Sequence, residues 1–116
     1  MSRQQPLQEP TFLILTALAA GPQHGYGIMT DVAQISSERV RLRAGTLYAA
    51  LDRLSGDGLV DVDREEIVDG RLRRYYRLTP AGSGRLAEEA QRLRSNASVA
   101  ASRLRKLGTG LAGGTA

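Results

Sequence analysis

Cysteine is absent from this 116-residue chain, so disulfide frameworks, thiolate metal sites and cysteine nucleophiles are excluded. Histidine occurs once, at His24, which argues against a histidine-rich metal centre and against metal-ion hydrolysis. Tryptophan is missing and phenylalanine occurs once, so a ligand pocket built on flat aromatic stacking would have to draw on the four tyrosines. No apolar run approaches the ~20 residues that cross a bilayer. The run at residues 12–20 contains three alanines and Thr16 and follows Pro6, Glu9 and Pro10, which reads as a buried helix rather than a signal peptide. Nucleophile elbow, phosphate loop and metal-ligand spacing are all lacking, so neither catalysis nor a cofactor is expected. The expectation is a cytoplasmic protein with no membrane partner.

What is present suits one globular domain: 41% hydrophobic and 24% charged residues. Sixteen cations face twelve acids, a net charge of +4, and fifteen of the cations are arginine. A small basic domain of this kind points to a polyanionic partner.

The pattern divides the chain into four parts. Residues 1–9 are polar and read as a flexible arm. Residues 108–116 hold four glycines and no charge and read as a flexible tail. Between them, residues 10–79 predict three helices and a hairpin, and residues 80–107 a long helix. Phe12, Leu15, Leu18 and Ala19 recur at helical spacing until Gly21-Pro22. Tyr26, Ile28, Met29, Val32 and Ile35 form a second helical stripe over residues 24–35, and a polar segment over 36–43 follows. Leu47, Leu51 and Leu54 define a third helix that Gly56 and Gly58 end. The period then changes to two. Val60 and Val62 alternate with Asp61 and Asp63, while Leu72, Tyr76 and Leu78 alternate with arginines and Tyr75. Asp69-Gly70 between them is a hairpin turn signal, because both residues tolerate positive φ. Thr79-Pro80 opens the last helix with a hydroxyl cap and a proline in the first turn. Along it Leu86, Ala90, Leu93, Ala97, Ala100, Leu104 and Leu107 step by four and three, a heptad seam with one narrow apolar stripe. Such a stripe could pack against the chain's own first helix, but on a helix long for so small a body it favours a contact between two copies of the chain.

Helix, helix, helix, hairpin, helix is the order of a mostly α (α+β) winged helix-turn-helix with a two-stranded wing and a long C-terminal dimerisation helix. The third helix then becomes the candidate for the DNA major groove. With its leucines turned inward, its outer face carries Thr46, Ala49, Ala50 and Arg53, with Tyr48 at the edge. Small residues let the helix backbone approach the duplex. Arg53 is a candidate to read guanine or hold phosphate. Arg39, Arg41 and Arg43 lead into this helix. Arg71, Arg73, Arg74 and Arg77 occupy the second wing strand, and six of the twelve acids crowd the first strand and turn. Those acids are expected to face away from DNA or to pair with the arginines across the hairpin. Two arginine clusters flanking one helix favour binding of double-stranded DNA, with Arg41, Arg43, Arg71, Arg73 and Arg74 on phosphates. Two other readings share these features: a winged helix serving as a protein-interaction module, and a sequence-neutral, nucleoid-type DNA binder.

Several segments resemble the PadR family of bacterial transcriptional regulators: His24-Gly25-Tyr26-Gly27-Ile28, Gly45-Thr46-Leu47-Tyr48-Ala49-Ala50-Leu51, Asp57-Gly58-Leu59-Val60, and Tyr75-Tyr76-Arg77-Leu78-Thr79-Pro80. The likeness runs from about Phe12 to Leu107 and is most specific in the Gly-Thr-Leu-Tyr and Tyr-Tyr-Arg-Leu-Thr elements. It implies a homodimeric repressor of the small subfamily, with an inverted-repeat operator and any small-molecule effector near the dimer interface. It also implies that Thr46 and Tyr48 touch the DNA backbone and that the wing arginines reach the minor groove or phosphates. Two positions depart from the family pattern. Gly27 stands where an acid is common, and Arg43-Ala44 replaces the small capping residue ahead of Gly45. A cation at a helix start is disfavoured until a phosphate arrives.

Overall fold

The computed structural model describes residues 5–115, with side chains described as far as Gly108. Residues 1–4 of the expected arm and residue 116 of the expected tail lie outside the described residues. The element order is α1 (Glu9–Ala19), β1 (Gln23–His24), α2 (Gly25–Ile35), α3 (Ala44–Gly56), β2 (Val60–Val68), β3 (Arg71–Leu78) and α4 (Pro80–Thr115). Helix α1 starts one residue before the expected boundary, with Pro10 in its first turn, where a missing N–H costs nothing. Gly21, at φ +142°, ends the segment in a conformation closed to most side chains.

The core is the meeting of three helical stripes with the base of the hairpin. Leu13, Ile14, Leu15, Ala17 and Leu18 of α1 meet Ile28 and Val32 of α2, the inward residues of α3, and Val60 and Tyr76 from the strands. Two expectations change here. Helix α2 buries Gly25, Ile28 and Val32 instead of the broader stripe, and leaves Tyr26 71% exposed and Ile35 partly so. Tyr26 is one residue past Gly25, about 100° round the helix, so it points away from the core. Helix α3 buries Leu47, Ala50, Leu51 and Leu54. Ala50 therefore belongs to the core and not to the outer face, because positions 47, 50, 51 and 54 fill one helical stripe. Between α2 and α3, Ser37 and Glu38 both have positive φ. The buried Ser36 hydroxyl accepts from the Val40 N–H at 2.9 Å and helps hold this turn.

The sheet is antiparallel and has three strands, in the order β1-β3-β2, where the sequence predicts two. Strand β1 is only two residues long, too short for any periodicity to reveal; it pairs Gln23 with Tyr76 and His24 with Tyr75. The Asp69-Gly70 turn forms as expected, with φ of 53° and 75°. The alternation predicts the first wing strand over residues 59–66, and β2 runs two residues further toward the turn, to Val68. The register slips between Val62 and Arg64, leaving Asp63 as an extra, bulged residue. This slip sets the faces. Val60, Val62, Glu65 and Ile67 share one face with Leu78, Tyr76, Arg74 and Leu72, while Arg64 and Glu66 share the other with Tyr75 and Arg73.

Thr79 caps α4 as its sequence predicts, its hydroxyl accepting from the Gly82 N–H at 3.0 Å and donating to the Gly58 carbonyl at 2.7 Å. A Cβ on Gly82 would collide with the Leu59 carbonyl, so this glycine is what lets the helix start against the entry to β2. The chain forms two compact units, divided between Leu86 and Ala87 within α4. In the second unit α4 is helical past the predicted boundary at Leu107, to Thr115. Extending an existing helix costs far less than starting one, so alternating glycines without proline need not stop it.

Candidate nucleic-acid interface

Helix α3 presents Thr46, Tyr48 and Ala49 to solvent, as the sequence predicts for its outer face. No side chain caps this helix: Arg43 occupies the cap position and its side chain makes no capping hydrogen bond. Tyr48 lies across the start of α2. A Cβ on Gly25 would strike its hydroxyl, so a glycine there is what permits the approach. Arg53 is exposed, but its Nη2 donates to the Thr11 hydroxyl at 3.2 Å. That bond ties the last turn of α3 to the first turn of α1, a different use from the DNA contact expected for it.

The wing carries most of the ionic structure. Arg77 binds Asp61 at 2.7 Å and Arg74 binds Glu65 at 2.8 Å, both across the strands. Arg64 bridges Glu66 at 2.8 Å and Asp63 at 3.0 Å along its own strand. Its guanidinium also lies over the Tyr75 ring, 3.9 Å from the centroid. The hydrogen bond from Arg64 holds the Glu66 carboxyl below its usual range. The expected cross-hairpin pairing of acids with arginines is thus present. It divides the wing cations into two sets: Arg74 and Arg77 are paired, whereas Arg71 and Arg73 have no ion pair among the described residues. Ahead of α3, Arg41 is paired with Glu38 at 2.6 Å, and Arg43 has no ion pair among the described residues.

An open cleft of about 600 Å³ runs between the start of α2 and the tip of the wing. Tyr48 lines it from α3, Tyr26 and His24 from the start of α2, and Arg71, Arg73 and Arg74 from β3. The structure therefore brings four of the predicted contact residues to one cleft, Tyr48 and the three wing arginines. Arg41, Arg43, Thr46, Ala49 and Arg53 lie outside it. His24 meets the Tyr75 ring edge-on at 5.5 Å, and burial, followed by the charge of Arg73, lowers its pKa. Two residues of the cleft escaped sequence reasoning. The sequence pattern places Tyr26 in the stripe of α2 and Leu72 in alternation with Tyr76 and Leu78, and neither position points to a cleft. Leu72 lies next to the turn, and its distance from the core was the available signal.

No group of acids and histidine among the described residues could hold a metal ion, and no helix among them is long and apolar enough to cross a membrane. The predicted seam on α4 runs from half-buried Leu86 and Ala90 to exposed Leu93, Ala97, Ala100, Leu104 and Leu107.

Comparison with known proteins follows the same lines. Transcriptional regulator Rv3488 of Mycobacterium tuberculosis is 47% identical over 60 residues, which is 52% of this chain and 55% of that protein. The chain thus spans about half the length of that curated relative. A PadR family transcription regulator from Clostridium difficile has a crystal structure that superposes with a TM-score of 0.69 at 27% identity, covering 84% of this chain and 99% of the other. Bacillus subtilis PadR, solved in complex with operator DNA, shares the fold at a TM-score of 0.62 and 22% identity, over 70% of this chain and 47% of its own. The sequence profile described as "Transcriptional regulator PadR-like family" matches residues 14–88. With that match over well over half of its length, and with the winged-helix architecture to accompany it, the chain belongs to the PadR-like family of transcriptional regulators.

Proposed function

We propose that this protein is a sequence-specific DNA-binding repressor that works as a homodimer and is released by a small-molecule effector. The observation that carries the reading is the shared cleft: Tyr48 of α3 and Arg71 and Arg73 of the wing, which have no ion pair among the described residues, face one space. In this reading the outer face of α3, at Thr46 and Ala49, enters the major groove and supplies specificity. Arg43, Arg71 and Arg73 hold phosphates and supply most of the affinity. Arg41 and Arg74 join them once phosphate displaces Glu38 and Glu65. Leu86, Ala90, Leu93, Ala97, Ala100, Leu104 and Leu107 form the dimer seam. Two-fold symmetry then requires an inverted-repeat operator with half-sites ~10 bp apart or a multiple of that.

The test is a gel shift on the DNA upstream of the protein's own gene, with excess nonspecific competitor, alongside light scattering for the particle mass. A discrete complex of a dimer with a specificity ratio of ~10³ or more supports the reading. Equal affinity for every sequence would mark a nucleoid-type binder, and no complex at all an interaction module. Ala49→Leu should abolish the discrete complex while leaving thermal melting unchanged, because Ala49 is exposed and is not part of the core cluster. Normal operator affinity in that variant would move the reading face elsewhere.

A further inference from the structure

Two large aliphatic side chains stand where the core does not reach. Ile67 and Leu72 are cross-strand partners, one pair short of the end of the ribbon, and are 71% and 57% exposed. The pleat sets them on the face that, nearer the body, turns Tyr76 and Leu78 toward the core. At the tip that face lies outside the core cluster of the described residues, so the two side chains contribute little to folding. Leu72 also lines the cleft shared by Tyr48, Arg71 and Arg73, which makes the apolar tip continuous with the cationic surface.

Charge selects the occupant. Arg71 and Arg73 flank Leu72 in the strand and have no ion pair among the described residues, and Asp69 in the turn is the one acid of the cleft. Arg71 and Arg73 lie on the opposite face of the ribbon from Ile67 and Leu72 but line the same cleft as Leu72, so a second copy docked in that cleft would bring the same cations into contact with each other. A nucleic-acid backbone would bring phosphates. The ribbon is also narrow, its strands ~4.8 Å apart, and it ends in a two-residue turn that fits a groove ~6 Å wide once the groove opens slightly.

We infer that Ile67 and Leu72 form an apolar wedge that enters the DNA minor groove beside the α3 contact, lying against deoxyribose and widening one base step, while Arg71 and Arg73 hold the flanking phosphates. Aliphatic residues used in this way loosen stacking and admit more protein surface to the bent duplex. Specificity from such a wedge comes from the deformability of the base step beneath it, with no hydrogen bond to a base edge. The inference rests on the DNA-binding reading above.

The experiment compares the full chain with the double variants Ile67→Ser/Leu72→Ser and Ile67→Met/Leu72→Met on the operator fragment. The serine variant should bind about tenfold or more weakly, because two partly buried aliphatic contacts are lost. Its salt slope, melting temperature and particle mass should match the wild type. Hydroxyl-radical protection of the minor-groove sugars under the wing should vanish while protection elsewhere persists. The methionine variant should keep both affinity and protection. An unchanged affinity and footprint in the serine variant overturns the wedge. Weaker binding together with a smaller particle overturns it too, in favour of a contact between copies. A wild-type chain that forms no discrete complex is a different result, and counts against the DNA-binding reading itself.

Discussion

The two ends of the wing are built from the same strands and differ in almost every other respect. At the base, Val60 and Tyr76 are buried in the core, and Arg77 is closed by Asp61. At the tip, Ile67 and Leu72 are exposed, and Arg71 and Arg73 have no ion pair among the described residues. The bulge at Asp63 lies between the two, and were Asp63 paired in regular alternation instead of bulged, Glu65 and Ile67 would fall on the opposite face from Val60 and Val62. The base has its apolar and ionic needs met within the chain. The tip leaves Ile67, Leu72, Arg71 and Arg73 unmatched among the described residues, and the DNA proposed above is a partner that would match them.

The largest effect that separates the two ends is on stability. Tyr76→Ala should cost about 3–5 kcal/mol, the usual range for removing a buried aromatic. Leu72→Ala should stay within about 0.5 kcal/mol, as exposed substitutions do. Urea unfolding followed by far-UV circular dichroism measures both. If Leu72→Ala lost as much as Tyr76→Ala, the tip would be part of the folding core and the contrast would collapse.

A smaller effect concerns charge, and it is read in DNA binding. Arg73 has no ion pair among the described residues, since its cross-strand neighbour Glu66 is hydrogen-bonded to Arg64, so Arg73→Ala should lower the slope of log K against log[salt] by about 0.9, the value for one phosphate contact. Arg74 must first leave Glu65, at 2.8 Å. Arg74→Ala should therefore change the slope by less than half as much. Equal changes would show that the Glu65 pair offers no resistance, and that the division of the wing cations into two sets has no functional weight.

Much of this contrast was legible in the sequence, and the part that was not has a physical reason. Long periodic segments declared themselves: the α3 leucines, the capped start of α4, and the Asp69-Gly70 turn all sit where the pattern puts them. The two-residue β1 left no trace, because its pairing is made by residues more than fifty positions away. The assignment of Ala50 to the outer face failed because alanine marks a core position as readily as a surface one, and only the packing of α3 decides. The site was legible as a composition of arginines but not as an arrangement. Which arginine is paired depends on the register, and the register depends on a bulge that no alternation of residue types reveals.

The finest probe of the contrast is His24, which sits where base and tip meet. It pairs with Tyr75 in the register and touches its ring, and both burial and the Arg73 charge hold its pKa below the usual 6.5. The sign of the pH effect follows. Above pH 6.5 the imidazole is neutral in both folded and unfolded chains, and its contribution to stability is fully present. As the pH falls below 6.5 the unfolded chain takes up the proton first, so that stability is lost on the acid side. Because the chain contains a single histidine, its ring signals in an NMR titration belong to it without further assignment. Arg73→Ala removes the smaller of the two causes, so the titration midpoint should move up while remaining below 6.5, and the acid-side loss of stability should shrink with it. An unmoved midpoint would mean that the Arg73 charge does not reach His24, and that the cleft does not gather the positive charge on which the proposed DNA contacts depend.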